Sequence, residues 1–241
     1  MPTAPENDAG IPRLYPVLVL VVAVALLASG IEPRDRMTWW MEVAPVLIAA
    51  PVLLATYRRF PLTPVLYVLI ALHALVLILG GAYTYSHVPA GNWLQDLFGL
   101  ARNPYDKFGH FMQGLVPVLV TREILVRGRY VAGPRMLGFL AVCVTLAISA
   151  SYELVEWWAG LAMGQDADEF LGLQGDSWDT QSDMFFALVG ALAGLLCLSR
   201  LQDRQISTLA GADAIIERTP ASGSPATRGA NSKADGDESQ S

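Results

Sequence analysis

Thiols are nearly missing from this chain: 241 residues include two cysteines, Cys143 and Cys197. That excludes a disulfide framework. Both fall inside apolar runs, where a free cysteine is expected to be a small buried filler. Histidine is almost as scarce, at three residues. No HExxH and no second histidine at i+4 occurs, so the helical zinc-protease pattern is absent. Ser149, Ser151 and Ser182 have no nucleophile elbow around them. Charged residues make up 16% of the chain, and no basic stripe with interleaved aromatics exists, so nucleic acid is excluded as a partner. The net charge of −6 says little about partners, because many of the acids lie in one loop and in the C-terminal tail.

Apolar sequence fills the space that charge leaves. The chain is 53% hydrophobic with a mean hydropathy of +0.40, above the usual range of soluble domains. Six apolar runs lie near the ~20 residues that cross a bilayer: about 14–31, 39–57, 62–82, 105–126, 136–158 and 180–200. The first is too long, and lacks the small-residue site, for a cleavable signal peptide. The fold class is therefore all-α, a polytopic membrane bundle of about six transmembrane helices. A cytoplasmic N-terminus of 1–13 precedes the domain at 14–204. Residues 205–241, rich in Ala, Ser, Gly, Thr and Asp, are expected to form a disordered cytoplasmic tail. The two three-helix halves share no repeat, and Pro45, Pro51 and Pro117 read as ordinary kinks.

Basic residues orient the bundle. With the N-terminus inside, Arg13, Arg58, Arg59, Arg127, Arg129, Arg135, Arg200 and Arg204 are cytoplasmic, against Arg34, Arg36, Arg102 and Lys107 outside. The positive-inside rule then favours N-in and C-in. Trp39, Trp40, Trp93, Trp157, Trp158 and Trp178 all fall on the outer side, where indoles prefer the interface. The aromatic loop 83–104 suggests a short interfacial helix. The loop 159–179 has no Lys or Arg but holds Asp166, Asp168, Glu169, Asp176 and Asp179, and its four glycines interrupt helix. It is expected to cap the outer face.

This topology brings the polar residues of three runs to one level. They occur in YDKFGHFMQG (105–114), SYELVEWW (151–158) and GDSWDTQSDM (175–184), paired at i+3 or i+4 and hence on shared helix faces. Asp106 pairs with His110, His110 with Gln113, Glu153 with Glu156, and Asp179 with Asp183. Glu42 and His87 reach the same level. An ionisable group at membrane depth is costly, so such a cluster marks function by default. His110, Glu153 and Glu156 are the candidates for catalytic proton transfer. His110, Glu153 and Asp183 form the ligand set of a divalent metal ion, the candidate cofactor. Asp106, Gln113, Trp157, Trp178, Asp179 and His73 are the candidate substrate-binding residues. Each has a plainer reading: His110 as a helix-end histidine bonded to Asp106, Asp179 as a helix cap, His73 as a histidine bonded to a neighbouring helix. Glu123 with Arg122, some 20 Å from His110 by helical rise, reads as an interfacial ion pair.

The phrases GGAYTYSHVP, NPYDKFGHFMQG, VTREIL, ISASYELVEWW and DEFLGLQGDSWDTQSDM resemble the YjdF-like family of bacterial inner-membrane proteins over nearly all of 14–200. The resemblance implies a multi-pass protein of the bacterial cytoplasmic membrane and leaves the reaction open. A looser similarity to VanZ-like membrane proteins covers the last three runs. It rests on Asp106, Lys107, His110 and Phe111, then Glu153 or Glu156, then Asp183 with Gly190, Ala191 and Gly194. It implies a role in the cell envelope.

Three functions follow as expectations. The first is an outward-facing His/carboxylate site that binds a divalent cation and an envelope molecule such as a lipid headgroup or small ligand. The second is a proton-coupled or cation transporter using Glu153, Glu156 and His73 as a relay. The third is a structural or interaction protein whose polar groups lock helices together. The lipid bilayer is the partner in every case, and small residues at Gly190, Ala193 and Gly194 are compatible with a homodimer.

Overall fold

Helix alone is built by the residues that the structure, a computed structural model, describes: 14–163 and 176–218. In chain order these are α1 (Leu14–Ser29), α2 (Arg36–Thr56), α3 (Pro64–Tyr83), a 3₁₀ turn (Tyr85–His87), α4 (Pro89–Phe98), α5 (Tyr105–Arg127), α6 (Pro134–Met163) and α7 (Asp179–Arg218). The N-terminal segment 1–13, most of the acidic loop (164–175) and the tail from 219 lie outside the described residues.

Among the described residues, four stretches are long and apolar enough to cross a membrane: Arg36–Thr56, Pro64–Tyr83, Pro134–Ala162 and Asp179–Leu209. α1 is apolar but shorter, at 16 residues. α5 has 23 residues but is not among the four, because charge gathers at both of its ends. Large side chains such as Leu20, Ile48, Phe139 and Leu196 stand exposed, on surfaces that only lipid would cover without aggregation. Cys143 and Cys197 are also free and exposed. They sit on the outside of their helices, and the expected burial as core fillers is corrected.

Asp35 sets where α2 begins: its Oδ1 accepts from the Thr38 amide and the Thr38 hydroxyl, both at 2.6 Å. Those bonds hold its carboxyl below the usual range. The loop before α5 is fixed by Asn103. Its amide nitrogen donates to the Val88 carbonyl and to Asn92, while its oxygen accepts from the Tyr105 backbone N–H. Gly91 lies so close to Asn103 that no Cβ fits there. The aromatic loop thus contains α4, a helix that exposes Trp93, Leu97 and Phe98.

α5 is the hub. It packs against α7, α6 and α3, and α3 in turn carries α1 and α2. The α5–α7 seam is close because it is glycine-lined: a Cβ at Gly114 would strike the Ala187 backbone, and one at Gly190 the Phe111 backbone. Gly190 and Gly194 therefore pack against α5 inside the chain.

Below the seam a second polar network closes the opposite end. Glu123 is fully buried and accepts from the Thr63 amide at 3.0 Å and the Thr63 hydroxyl at 2.7 Å. It also accepts from Arg127 at 2.9 Å and Gln202 at 3.2 Å. Arg122 turns instead to Gln202 and Asp203, at 2.9 and 2.6 Å. The expected Arg122–Glu123 interfacial pair is corrected: consecutive helical residues point apart, so Arg122 pairs with Asp203 of α7 and Glu123 with Arg127 one turn on. The same network ties α7 to the bundle beyond residue 200, and the helix runs on to Arg218. Gln202, Asp203 and Gln205 are held by α5 and by the Val65 amide at the start of α3. A helix anchored there extends by propagation, which is cheap once nucleated.

Candidate functional site

The site begins at the first turn of α5. Asp106, Lys107 and His110 are all buried there, and helical spacing puts Asp106 and His110 on one face. His110 Nε2 lies 3.4 Å from Asp106 Oδ1, and His110 Nδ1 lies 3.0 Å from Gln113 Oε1. α7 brings Asp183 to 3.7 Å from His110 Nε2, and α6 brings Glu153 to 3.7 Å from His110 Nδ1. Three helices therefore meet at one imidazole. Asp106, His110 and Asp183 each offer a ligand atom, all within 4.8 Å of one another.

Two cations, neither of them among the candidate site residues of the sequence, belong to this cluster. Lys107 Nζ contacts Asp179 at 2.6 Å and Asp183 at 2.5 Å, with Asp106 at 3.4 Å. Arg102 reaches Asp179 at 2.6 Å and Asp176 at 3.6 Å. Burial lowers the Arg102 pKa, but the hydrogen bond and charge of Asp179 outweigh it and raise the pKa above its usual value. Asp179 is more than a helix cap, since both cations meet on one of its oxygens.

Beside the cluster lies a cavity of about 200 Å³. Its polar wall is formed by Glu42 of α2, Asp106, His110 and Gln113 of α5, and Tyr152 and Glu156 of α6. Tyr85 also lines it and hydrogen-bonds Glu42. Burial first, and then the neighbouring Glu42 charge, hold the Tyr85 phenol well above its usual pKa, so it remains a donor. His73 lies deeper, with Pro45, Leu77, Pro117 and Ile148. Its Nε2 is buried without a hydrogen-bond partner, as are Asp106 Oδ2 and Glu153 Oε1. His73 therefore has no bond from that nitrogen to a neighbouring helix, contrary to its plainer reading.

Pro45 and Pro117 are more than kinks, because both line the cavity. A proline deprives the carbonyl four residues earlier of its helical donor. For Pro45 that carbonyl belongs to Met41, and the Tyr152 hydroxyl donates to it at 3.3 Å. The same hydroxyl lies 3.4 Å from Glu42 Oε2.

Of the candidate residues, Asp106, His110, Gln113, His73 and Glu156 line the cavity. Glu153, Asp179 and Asp183 sit in the adjoining ion cluster. Trp157 and Trp178 are 55% and 69% exposed and line neither. Indole rings there suit a membrane interface better than a pocket wall. His87 is bonded locally to Thr84 and Ser86. Sequence reasoning missed Lys107, Arg102, Tyr85 and Tyr152 as members, and only the helical phase of Lys107 relative to α7 could have signalled its role.

Across the described site, Glu42, Asp106, Glu153, Glu156, Asp179 and Asp183 face only Arg102, Lys107 and His110. Carboxylates outnumber bases, and Glu42, Asp106 and Glu156 line the cavity. At membrane depth such an excess is neutralised by protons or by a bound cation.

Comparison with known proteins sets the chain among membrane proteins. The profile of a family described as predicted membrane protein (DUF2238) matches residues 14–204. The chain belongs to this DUF2238 family. A relative within reach of close comparison is the inner membrane protein YjdF of Escherichia coli (strain K12). It is 60% identical over 195 residues, which cover 81% of this chain and 93% of the relative. No solved structure matches. As a DUF2238 protein with four helices suited to crossing a bilayer, this is a membrane protein that carries a buried His/Asp cluster.

Proposed function

We propose that the protein is a six-span, N-in/C-in protein of the bacterial inner membrane, with an outward-facing site that binds a divalent cation and an envelope molecule. The cation is held by Asp106, His110 and Asp183, with Glu153 beside them. The observation that carries this reading is the convergence of three ligand atoms within 4.8 Å from two helices, next to a cavity lined by further acids. Two oxygens and an imidazole suit magnesium, manganese or zinc. Glu156 in the cavity wall and Glu153 beside His110 are the groups placed to move a proton on the bound molecule. Span number and orientation rest on the six apolar runs, the bias of basic residues and the inner-membrane name of the E. coli relative.

Purified protein should carry stoichiometric metal by elemental analysis. His110→Ala and Asp183→Asn should each lose it, while Asp203→Asn at the opposite end should keep it. Metal content indifferent to both site substitutions would sink the proposal.

One observation favours a second reading. Lys107 already bridges Asp179 and Asp183, so the cluster also serves as a lock between α5 and α7. Under a lock alone, the same substitutions would lower stability and leave no metal to lose.

A further inference from the structure

We infer that the cavity receives the head of a membrane lipid bearing an ammonium group, and that the lipid's chain leaves sideways between α2 and α6 along an apolar groove on α6. The inference stands on the cavity and the groove, not on the cation reading above.

Size comes first. At about 200 Å³ the cavity falls below the ~300–1,000 Å³ of sites that enclose a whole small molecule. It holds a head, and the rest of the ligand must lie elsewhere.

Charge decides which head. The lining sets three carboxylates, Glu42, Asp106 and Glu156, against one basic group, His110, which is paired with Asp106, and holds no Lys or Arg. Lys107 and Arg102 are engaged with Asp179 outside it. An ammonium complements such a wall through charge-assisted hydrogen bonds, whereas a purely anionic head would face like charge. The inner wall is apolar at Leu77, Pro117 and Ile148, apart from the unpartnered, buried Nε2 of His73. In the tautomer that protonates this atom, His73 donates to an ester carbonyl, the group that follows the head in a glycerolipid.

The exit is visible on α6. Val144, Ala147, Ile148, Ser151, Tyr152 and Val155 form a shallow groove, and Ile148 and Tyr152 line the cavity as well. α2 and α6 share no packed seam. The Tyr152 hydroxyl spans the gap at 3.3 Å to Met41 and 3.4 Å to Glu42. These are long for O–H···O bonds, as suits a latch that opens toward lipid.

The test offers purified protein equal amounts of phosphatidylethanolamine and phosphatidylglycerol with identical chains, in excess EDTA. Bound lipid is counted by native mass spectrometry. The ethanolamine lipid should be retained about tenfold over the glycerol lipid, the ratio that one charge-assisted pair supplies. The double substitution Glu42→Gln with Glu156→Gln should bring the two to parity. Ala147→Trp, which fills the exposed groove, should reduce occupancy by both lipids without changing their ratio. Parity or the reverse preference in the wild type overturns the inference, and so does a preference that survives the double substitution. Should that variant fail to fold, unchanged occupancy in Ala147→Trp overturns it equally. Because EDTA removes divalent metal, failure here is distinct from failure of the cation reading.

Discussion

Lys107→Met is expected to destabilise the folded protein by about 3–5 kcal/mol, the cost of removing one partner from a buried ion pair. The Lys107 side chain is 10% exposed and is shared by Asp179 and Asp183, with Asp106 close by. Methionine matches its length, so packing survives while the charge vanishes. Three buried carboxylates then lose their common cation, while Arg102 still contacts Asp179. A surface ion pair would give only about 0–1 kcal/mol, so the magnitude separates the two cases. Thermal unfolding in detergent, wild type against variant, reads it. A change as small as that of a surface pair would mean that water in the cavity solvates these acids and that Lys107 locks nothing.

Glu123→Ala should cost a similar amount, about 3–5 kcal/mol, at the other end of α5. Its two oxygens receive the Thr63 amide and hydroxyl, Arg127 and Gln202, which ties the start of α3 to α5 and α7. Alanine strands the Arg127 charge and the amide of Thr63, the N-cap residue of α3. Arg127 keeps its bond to the Pro61 carbonyl and its position over Phe60, so the loss comes from charge and capping and not from side-chain collapse. Glu123→Gln should lie between, since it still offers the Thr63 amide an acceptor. Thermal unfolding checks this too, with hydrogen exchange at the Thr63 amide as a local readout. Faster exchange there with an unchanged Asp106–His110 region is the expected pattern. Slow exchange in Glu123→Ala would contradict the assigned bond.

How far the sequence revealed this arrangement depends on the kind of neighbour. Apolar runs near bilayer length located the major helices, and i+4 spacing paired Asp106 with His110 correctly, because both depend on one helix. Partners on different helices were hidden. Lys107 and Arg122 lie next to Asp106 and Glu123 in the chain, yet their contacts depend on how α5 is rotated against α7, and one residue changes the direction by about 100°. Glycine at 114 and 190 carried the clue to that rotation, but small residues fit a partner chain as well as a partner helix. The bond from Tyr152 to Met41 was hidden differently: Pro45 announces a freed carbonyl, and nothing in one sequence says which helix supplies the donor.

The measurement that bears most directly on the central claim is thermal unfolding of the purified protein titrated with manganese or zinc, alongside His110→Ala. A ligand that binds only the folded state stabilises it by RT ln(1 + [L]/Kd). The midpoint should climb with metal concentration in the wild type and stay flat in His110→Ala. A wild-type midpoint that ignores both metals would contradict the cation reading and leave the cluster as a lock between helices.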